Sequence, residues 1–467
     1  MITITKRALL VMGLATLAAC AHPPGPQDAG LATPSAWSQR TTAEPSDNQP
    51  LVSGDAVGVE HRWWKSFRDP VLDRLIENAL ANNKSLAIAK ARVEEARAGQ
   101  SGAVANLLPS VSGTGSISRG NQGYATGNKA VNIREADVQA SWELDLFGKN
   151  QARAGEAAAV SQAVEADAQA VMVSLLADVA RNYFDLRNDQ EQIRITRDNL
   201  TTQQKTLELI KAQMVGALSS DLDVERAAAQ VSTTSAQLPA LQSAYEVTLH
   251  RLNVLAGTAP GTEDAALADP PPFTALDGTI LVAAPARVLA NRPDIRAAER
   301  RFAASLSATE AATKELYPTL SLTALFGVQD SSAFSATPWG LGANLVQPIL
   351  NFGRIRSQID AADSRQTQAF LTYQETVLEA LEDMENALSV YFHEAARHHD
   401  LDLAAQQNRR AVTLANQQYK SGYSGLLDLL VAQHDALEAD SAVAASNVQL
   451  RKALVTIYAA AGGGWAL

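Results

Sequence analysis

The 467-residue sequence predicts an α+β chain with an internal two-fold repeat, in which long coiled-coil helices alternate with four amphipathic strands. Three observations predict it. Apolar residues recur every seven positions over very long stretches. Four short segments alternate apolar and polar residues with period two. The order helix, two strands, long helices occurs twice along the chain.

The repeat is carried by punctuation as well as by pattern. In the first half, residues 61–269, a helix from about Pro70 to Ala105 ends at Leu107-Leu108-Pro109. Two strand-like runs then lead to Leu146-Phe147-Gly148-Lys149 and a very long helical pattern. In the second half, residues 286–467, a helix from Pro293 to about Leu316 ends at Leu316-Tyr317-Pro318. Two further strand-like runs lead to Asn351-Phe352-Gly353-Arg354 and another long helical pattern. A linker, residues 270–285, opens on Pro270, Pro271 and Pro272 between the halves.

The strand-like runs are one-faced. In the first, Val111 and Ile117 share a side with Gly113 and Gly115. In the second, Val138, Ala140, Trp142, Leu144 and Leu146 oppose Asp137, Gln139, Ser141, Glu143 and Asp145. The third places Leu320, Leu322, Ala324, Phe326 and Val328 together, and the fourth Trp339, Leu341, Ala343 and Leu345. Runs of about 9–11 residues suit a tilted strand crossing a bilayer, with apolar side chains on lipid and polar ones on a wet lumen. A soluble, half-buried sheet alternates in the same way. A secretory leader, the Gly- and Asn-rich loop Arg119–Asn128 and the Ser- and Ala-rich loop Gln329–Pro338 favour the barrel. Four strands cannot close around a lumen, and an open edge in lipid leaves backbone groups unpaired, so closure requires oligomerisation.

The helices carry heptads. Val179, Leu186, Ile193, Leu200, Leu207 and Met214 fall on one line, and Val224, Val231, Leu238, Tyr245 and Leu252 on the next. The second half repeats this with Phe370, Val377, Met384, Tyr391, Val412 and Tyr419, then Leu429, Val443, Leu450 and Ile457. One helix over residues 150–215 would reach about 100 Å. Pro239, inside the following helix, should cost about 3 kcal/mol and bend it. Alanines at 157–159, 163, 166, 168 and 170 thin one long helix for close approach.

Residues 1–19 read as a signal peptide: Lys6 and Arg7 precede an apolar run too short to span a membrane. Leu17-Ala18-Ala19-Cys20 resembles a bacterial lipobox, which implies diacylglycerol and an N-acyl chain on Cys20. Ala21 follows where aspartate would favour retention in the inner membrane, so the expected anchorage is the outer membrane. Residues 20–60, rich in Pro, Gly and Ser, read as an extended tether with too little apolar content to pack. Cys20 is the only cysteine, so no intrachain disulfide forms. A net charge of −11 argues against a nucleic-acid partner.

No catalytic or metal spacing emerges, and no cofactor is expected. His398-His399-Asp400 with Asp402 is the one suggestive cluster, but adjacent helical residues point about 100° apart and cannot easily share an ion. A solvated helix face is the expectation, with His398 on the Tyr391 heptad line. Gly462-Gly463-Gly464 closes the last helix, and Asn291-Arg292-Pro293-Asp294 reads as a helix start.

From Trp63 to Trp465 the chain resembles the TolC-like outer-membrane factors, specifically the NodT-type lipoproteins of resistance-nodulation-division pumps. The resemblance is carried by Trp63-Trp64-Lys65-Ser66-Phe67-Arg68-Asp69-Pro70 and by Trp142-Glu143-Leu144-Asp145-Leu146-Phe147-Gly148-Lys149. It continues through Asn291-Arg292-Pro293-Asp294-Ile295, Glu299-Arg300-Arg301 and Leu316-Tyr317-Pro318. It implies a homotrimer whose protomers share a transmembrane β-barrel, four strands from each, and a periplasmic α-barrel. The partners it implies are a periplasmic adaptor and an inner-membrane transporter, and the function is that of a passive exit duct. A purely periplasmic coiled-coil lipoprotein and a secreted enzyme are the rival readings; the latter lacks a nucleophile–base pairing.

Two departures concern the helical turns. The first reads Gly216-Ala217-Leu218 where the second has Gly422, so Gly216 is expected to take the left-handed position. Gly422 through Val431 resembles the family's periplasmic entrance, where two acids often stand one helical turn apart. Asp428 matches the first, and Val431 occupies the place of the second. Asp223 is repeat-related to Asp428, and Ser220 three positions earlier predicts a capping box.

Overall fold

The computed structural model describes residues 25, 27–38, 62–121, 130–216, 219–262, 265–268, 273, 284–331 and 335–465. The expected signal peptide 1–19, Cys20, most of the tether and most of the linker 270–285 lie outside the described residues. The chain divides into two compact units. One comprises the described parts of 1–31, 90–167 and 294–376, the other those of 32–89, 168–293 and 377–467.

A 3₁₀ turn (Trp63–Phe67) precedes α1 (Pro70–Asn82) and α2 (Lys84–Ala105). Then come β1 (Ser110–Asn121), β2 (Ala130–Leu144), α3 (Lys149–Val215) and α4 (Asp221–Leu255). Two short helices follow, α5 (Ala265–Ala268) and α6 (Pro285–Asn291). The second repeat runs α7 (Pro293–Lys314), β3 (Thr319–Ser331), β4 (Ser335–Ala336), β5 (Trp339–Val346), α8 (Phe352–Lys420) and α9 (Leu426–Ala460). Of the described residues, 72% are helical and 13% lie in strands.

The first unit contains one antiparallel sheet, ordered β1-β2-β3-β4, with β5 also on β3. The pairing of β2 with β3 joins the two repeats. The strands extend beyond their apolar alternation: Arg119, Gly120 and Asn121 continue the ladder opposite Asn132, Val131 and Ala130. The fourth expected strand is β5, and the expected loop Gln329–Pro338 holds a further two-residue strand, β4. Thr337 and Pro338 lie between them, because proline has no N–H for a ladder; the Pro338 carbonyl instead accepts from Gly327 N at 2.8 Å. The alanine stripe of α3 is used for close packing: Ala159, Ala303 and Ala304 form a buried cluster. Phe147 and Tyr317, from the two repeat-related turns, stack with centroids 5.0 Å apart.

In the second unit the heptads set the buried seams. Val179, Leu186, Ile193, Val377, Met384, Tyr391, Leu429, Leu450, Ile457 and Leu252 are all buried. The core gathers around Trp63, Leu72, Leu176, Tyr183 and Phe184, and Trp63 stacks on Tyr458 at 5.4 Å. Pro239 lies inside α4, which runs on through it.

The single helix expected over 70–105 is two. Asn83 breaks it at ψ 129°, because its side chain serves both neighbours. Its amide donates to Leu255 O at 2.9 Å, and its Oδ1 accepts from Leu86 N at 3.0 Å, which caps α2.

Part of the expected tether is docked. Gln27 N donates to Glu299 Oε1 at 2.7 Å, Tyr373 Oη to Gln27 O at 3.2 Å and Gln374 Nε2 to Ala29 O at 2.9 Å. In the other unit, Trp37 is buried in the core, and Ser38 N donates to Glu385 Oε1 at 2.8 Å. Low apolar content does not prevent this. Backbone polar groups and one tryptophan supply the contacts.

Candidate functional site

Two features carry the functional argument: the sheet of the first unit and the paired helical turns of the second. Residues directly opposite in an antiparallel ladder share a face. Val138 pairs with Phe326, Ala140 with Ala324, Trp142 with Leu322 and Leu144 with Leu320. On the far side of β3, Phe326 pairs with Trp339, Ala324 with Leu341 and Leu320 with Leu345. One face of the sheet is thus continuously apolar, and it is exposed in the isolated chain: Trp339 is 74% accessible and Leu341 80%.

The opposite face is polar and internally bonded. Thr114 donates to Asp137, and Glu135 accepts from Gln329 and from Ser116. At its far end this face carries Val131 and Ile133, both buried, which the alternation did not anticipate. Among the described residues no helix is long and apolar enough to cross a membrane.

In the second unit the two repeat-related turns meet. Ile210, Ala227, Leu426 and Leu430 form a small core between the helices that flank them. Gly422 has φ +73°, and around it Tyr423 N donates to Gln418 O and Gly422 N to Tyr419 O, a Schellman closure of α8. Gly216 is an exposed turn residue directly after Val215, with 217–218 outside the described residues. Ser220 and Asp223 form the reciprocal capping box that the spacing predicted, and hydrogen bonds from Ser220 hold the Asp223 carboxyl below its ordinary range.

Asp428 is exposed in the first turn of α9, whose N-cap Gly425 offers no side chain. Its carboxylate therefore stands at an uncapped positive helix end. Leu427 and Val431 beside it are exposed as well.

The remaining motifs are structural. Asp69 Oδ1 caps α1 by accepting from Val71 N and Leu72 N, while Oδ2 accepts from Tyr183 Oη. Burial, then the Asp69 bond, pushes the Tyr183 hydroxyl pKa well up. Arg187 and Arg451 stack on Phe273, the latter with its pKa lowered to about 10 by burial first and Arg187 second. Sequence reasoning missed this cluster because its members are scattered along the chain. Asn291 Nδ2 donates to Ala461 O and Gly462 O, and Arg292 Nη1 to Ala460 O, so this motif closes the end of α9. Gly462, at φ +73°, leaves a Cβ no room: it would stand 3.0 Å from Arg292 Cα. His398 is half-buried on its heptad seam, where burial lowers its pKa, while His399 and Asp400 beside it are exposed. No group of described residues could hold a metal ion.

The family model "Outer membrane efflux protein" matches residues 75–258 and again 284–463. The pyoverdine export outer membrane protein OpmQ of Pseudomonas aeruginosa is 32% identical over 474 residues, covering 98% of this chain and 97% of the relative. Nodulation protein T of Rhizobium leguminosarum bv. trifolii is 29% identical over 420 residues, covering 88% and 89%. Among solved structures, the outer-membrane channel OprN superposes with a TM-score of 0.85 at 32% identity, covering 96% of this chain and 100% of that one. The open Neisseria gonorrhoeae MtrE channel superposes at 0.81 with 26% identity, covering 96% and 99%. With an amphipathic sheet, heptad helices and a twice-matched family model, the chain belongs to the outer membrane efflux protein family, the TolC-like channels of the outer membrane.

Proposed function

We propose that the chain works as a homotrimeric, lipid-anchored exit duct of a tripartite pump and carries out no reaction of its own. The observation that carries this reading is a sheet with one apolar face, one polar face and two open edges, β1 and the β4/β5 strand. Such edges in lipid require partners, and copies of the same chain supply them. The long helices would line the periplasmic passage, docking an adaptor and an inner-membrane transporter of the resistance-nodulation-division type. Relatives named as solvent, toluene and antibiotic efflux pump outer membrane proteins support the assignment. Cys20 carries the acyl chains, and three Asp428 carboxylates narrow the entrance and favour cations there.

Purified full-length protein, reconstituted in a planar bilayer and sized by light scattering in mild detergent, tests the reading. Three copies with discrete conductance steps are expected. A stable folded monomer that conducts nothing would refute it.

A further inference from the structure

The apolar face of the sheet ends abruptly at one boundary. Along β2, Leu144, Trp142, Ala140, Val138 and Ala136 share that face, and the next residue on it is Arg134. The run from Leu144 to Ala136, at about 3.3 Å per residue, measures roughly 26 Å along the strand. At the 35–45° tilt of strands in an outer-membrane barrel, that run rises about 20 Å, most of the apolar belt of about 25 Å. Phe326 and Trp339, directly paired, lie near the same boundary, where aromatic residues mark a membrane interface.

Arg134 stands opposite Ile117 on β1, and Arg119, two residues further along β1, faces the same way. The two arginines are exposed and diagonal neighbours in the ladder. Asp330 stands opposite Arg134 on β3, so two guanidinium groups face one carboxylate and the cluster stays net positive. This boundary lies at the hairpin end of the strands, away from Pro109 and Leu144, where the chain leaves for its helices. If the helices extend into the periplasm, Arg119 and Arg134 stand at the outer leaflet. A chain of net charge −11 thus turns two arginines outward at headgroup level. Guanidinium groups bind phosphate through paired hydrogen bonds and lose little hydration in doing so.

We propose that Arg119 and Arg134 form a binding site for the phosphate of an outer-leaflet glycolipid, whose acyl chains lie on the adjoining apolar band. The site rests on the lipid-facing reading of that band. Continuity with the band and charge complementarity select a phosphorylated lipid over a soluble anion.

The test is native mass spectrometry of the full mature protein in detergent, with four probes. These are diphosphorylated lipid A, its dephosphorylated form, phosphatidylglycerol and inorganic phosphate. The wild type should hold the diphosphorylated lipid roughly tenfold more tightly than its dephosphorylated form, with inorganic phosphate weak. Arg119→Gln with Arg134→Gln should abolish that preference, and the double lysine variant should restore part of it. Equal retention of the two lipid A forms by the wild type overturns the site without reference to any variant. Binding of inorganic phosphate as tight as that of the glycolipid assigns the cluster to a free anion and overturns it too. Insertion into vesicles is measured alongside: a protein that does not insert contradicts the barrel itself, whereas insertion without lipid discrimination removes only this site.

Discussion

Tyr183 donates a 2.6 Å hydrogen bond to Asp69, joining α3 to the residue that caps α1. Both are buried, and Arg187 donates to the same hydroxyl at 3.0 Å. Tyr183→Phe removes the donor and leaves a buried carboxylate oxygen with the Arg187 guanidinium at 3.7 Å. The expected cost is about 1.5–3 kcal/mol, read as a lower midpoint of chemical unfolding. An unchanged midpoint means the motif does not need this bond.

His398 gives the second unit a pH dependence. Burial depresses its pKa below 6.5, opposed by Asp402 and Glu394 and assisted by Arg451 and His399. The unfolded chain then takes up the proton first. This contribution to stability is full above about pH 6.5 and is lost as the pH falls towards the depressed folded pKa. In His398→Gln, the melting temperature should vary less with pH below that point. Parallel profiles for variant and wild type would exclude the effect.

Asp428 and Asp223 occupy related positions and should respond differently. Asp428→Asn should lower single-channel cation selectivity while stability barely moves. Disrupting the other turn's box by Ser220→Ala should cost about 0.5–2 kcal/mol and leave selectivity alone. Unchanged selectivity in Asp428→Asn would reduce that residue to a helix-dipole role.

Radiolabelled palmitate should enter the wild type and not Cys20→Ser. The variant should stay partly membrane-bound, since the sheet itself contacts lipid. Equal labelling of both proteins rules out acylation at this cysteine.

Trp37→Ala should release the docked segment. Removing a buried tryptophan costs about 3–5 kcal/mol when its site cannot collapse. The measurable outcome is proteolytic cleavage within 25–38 at protease levels that leave the wild type whole. Equal resistance would show that the polar contacts of Gln27 and Ser38 suffice.

Periodicity is local, and what depends on it was legible in the sequence. Seven-residue spacing marked Val179, Met384 and Ile457 as seam residues, and period two separated Trp142 from Glu143, because each side chain's direction follows from its place in its own element. The Ser220–Asp223 box spans three residues and was legible for the same reason. Tertiary structure decided the rest. Asn83 ends a helix because Leu255 O, 172 residues away, accepts from its amide. Residues 27–38 dock because Glu299, Tyr373 and Glu385 are waiting on distant helices. Helix and strand periods are set by neighbours along the chain, whereas a hydrogen-bond partner hundreds of residues away exists only once packing has placed it there.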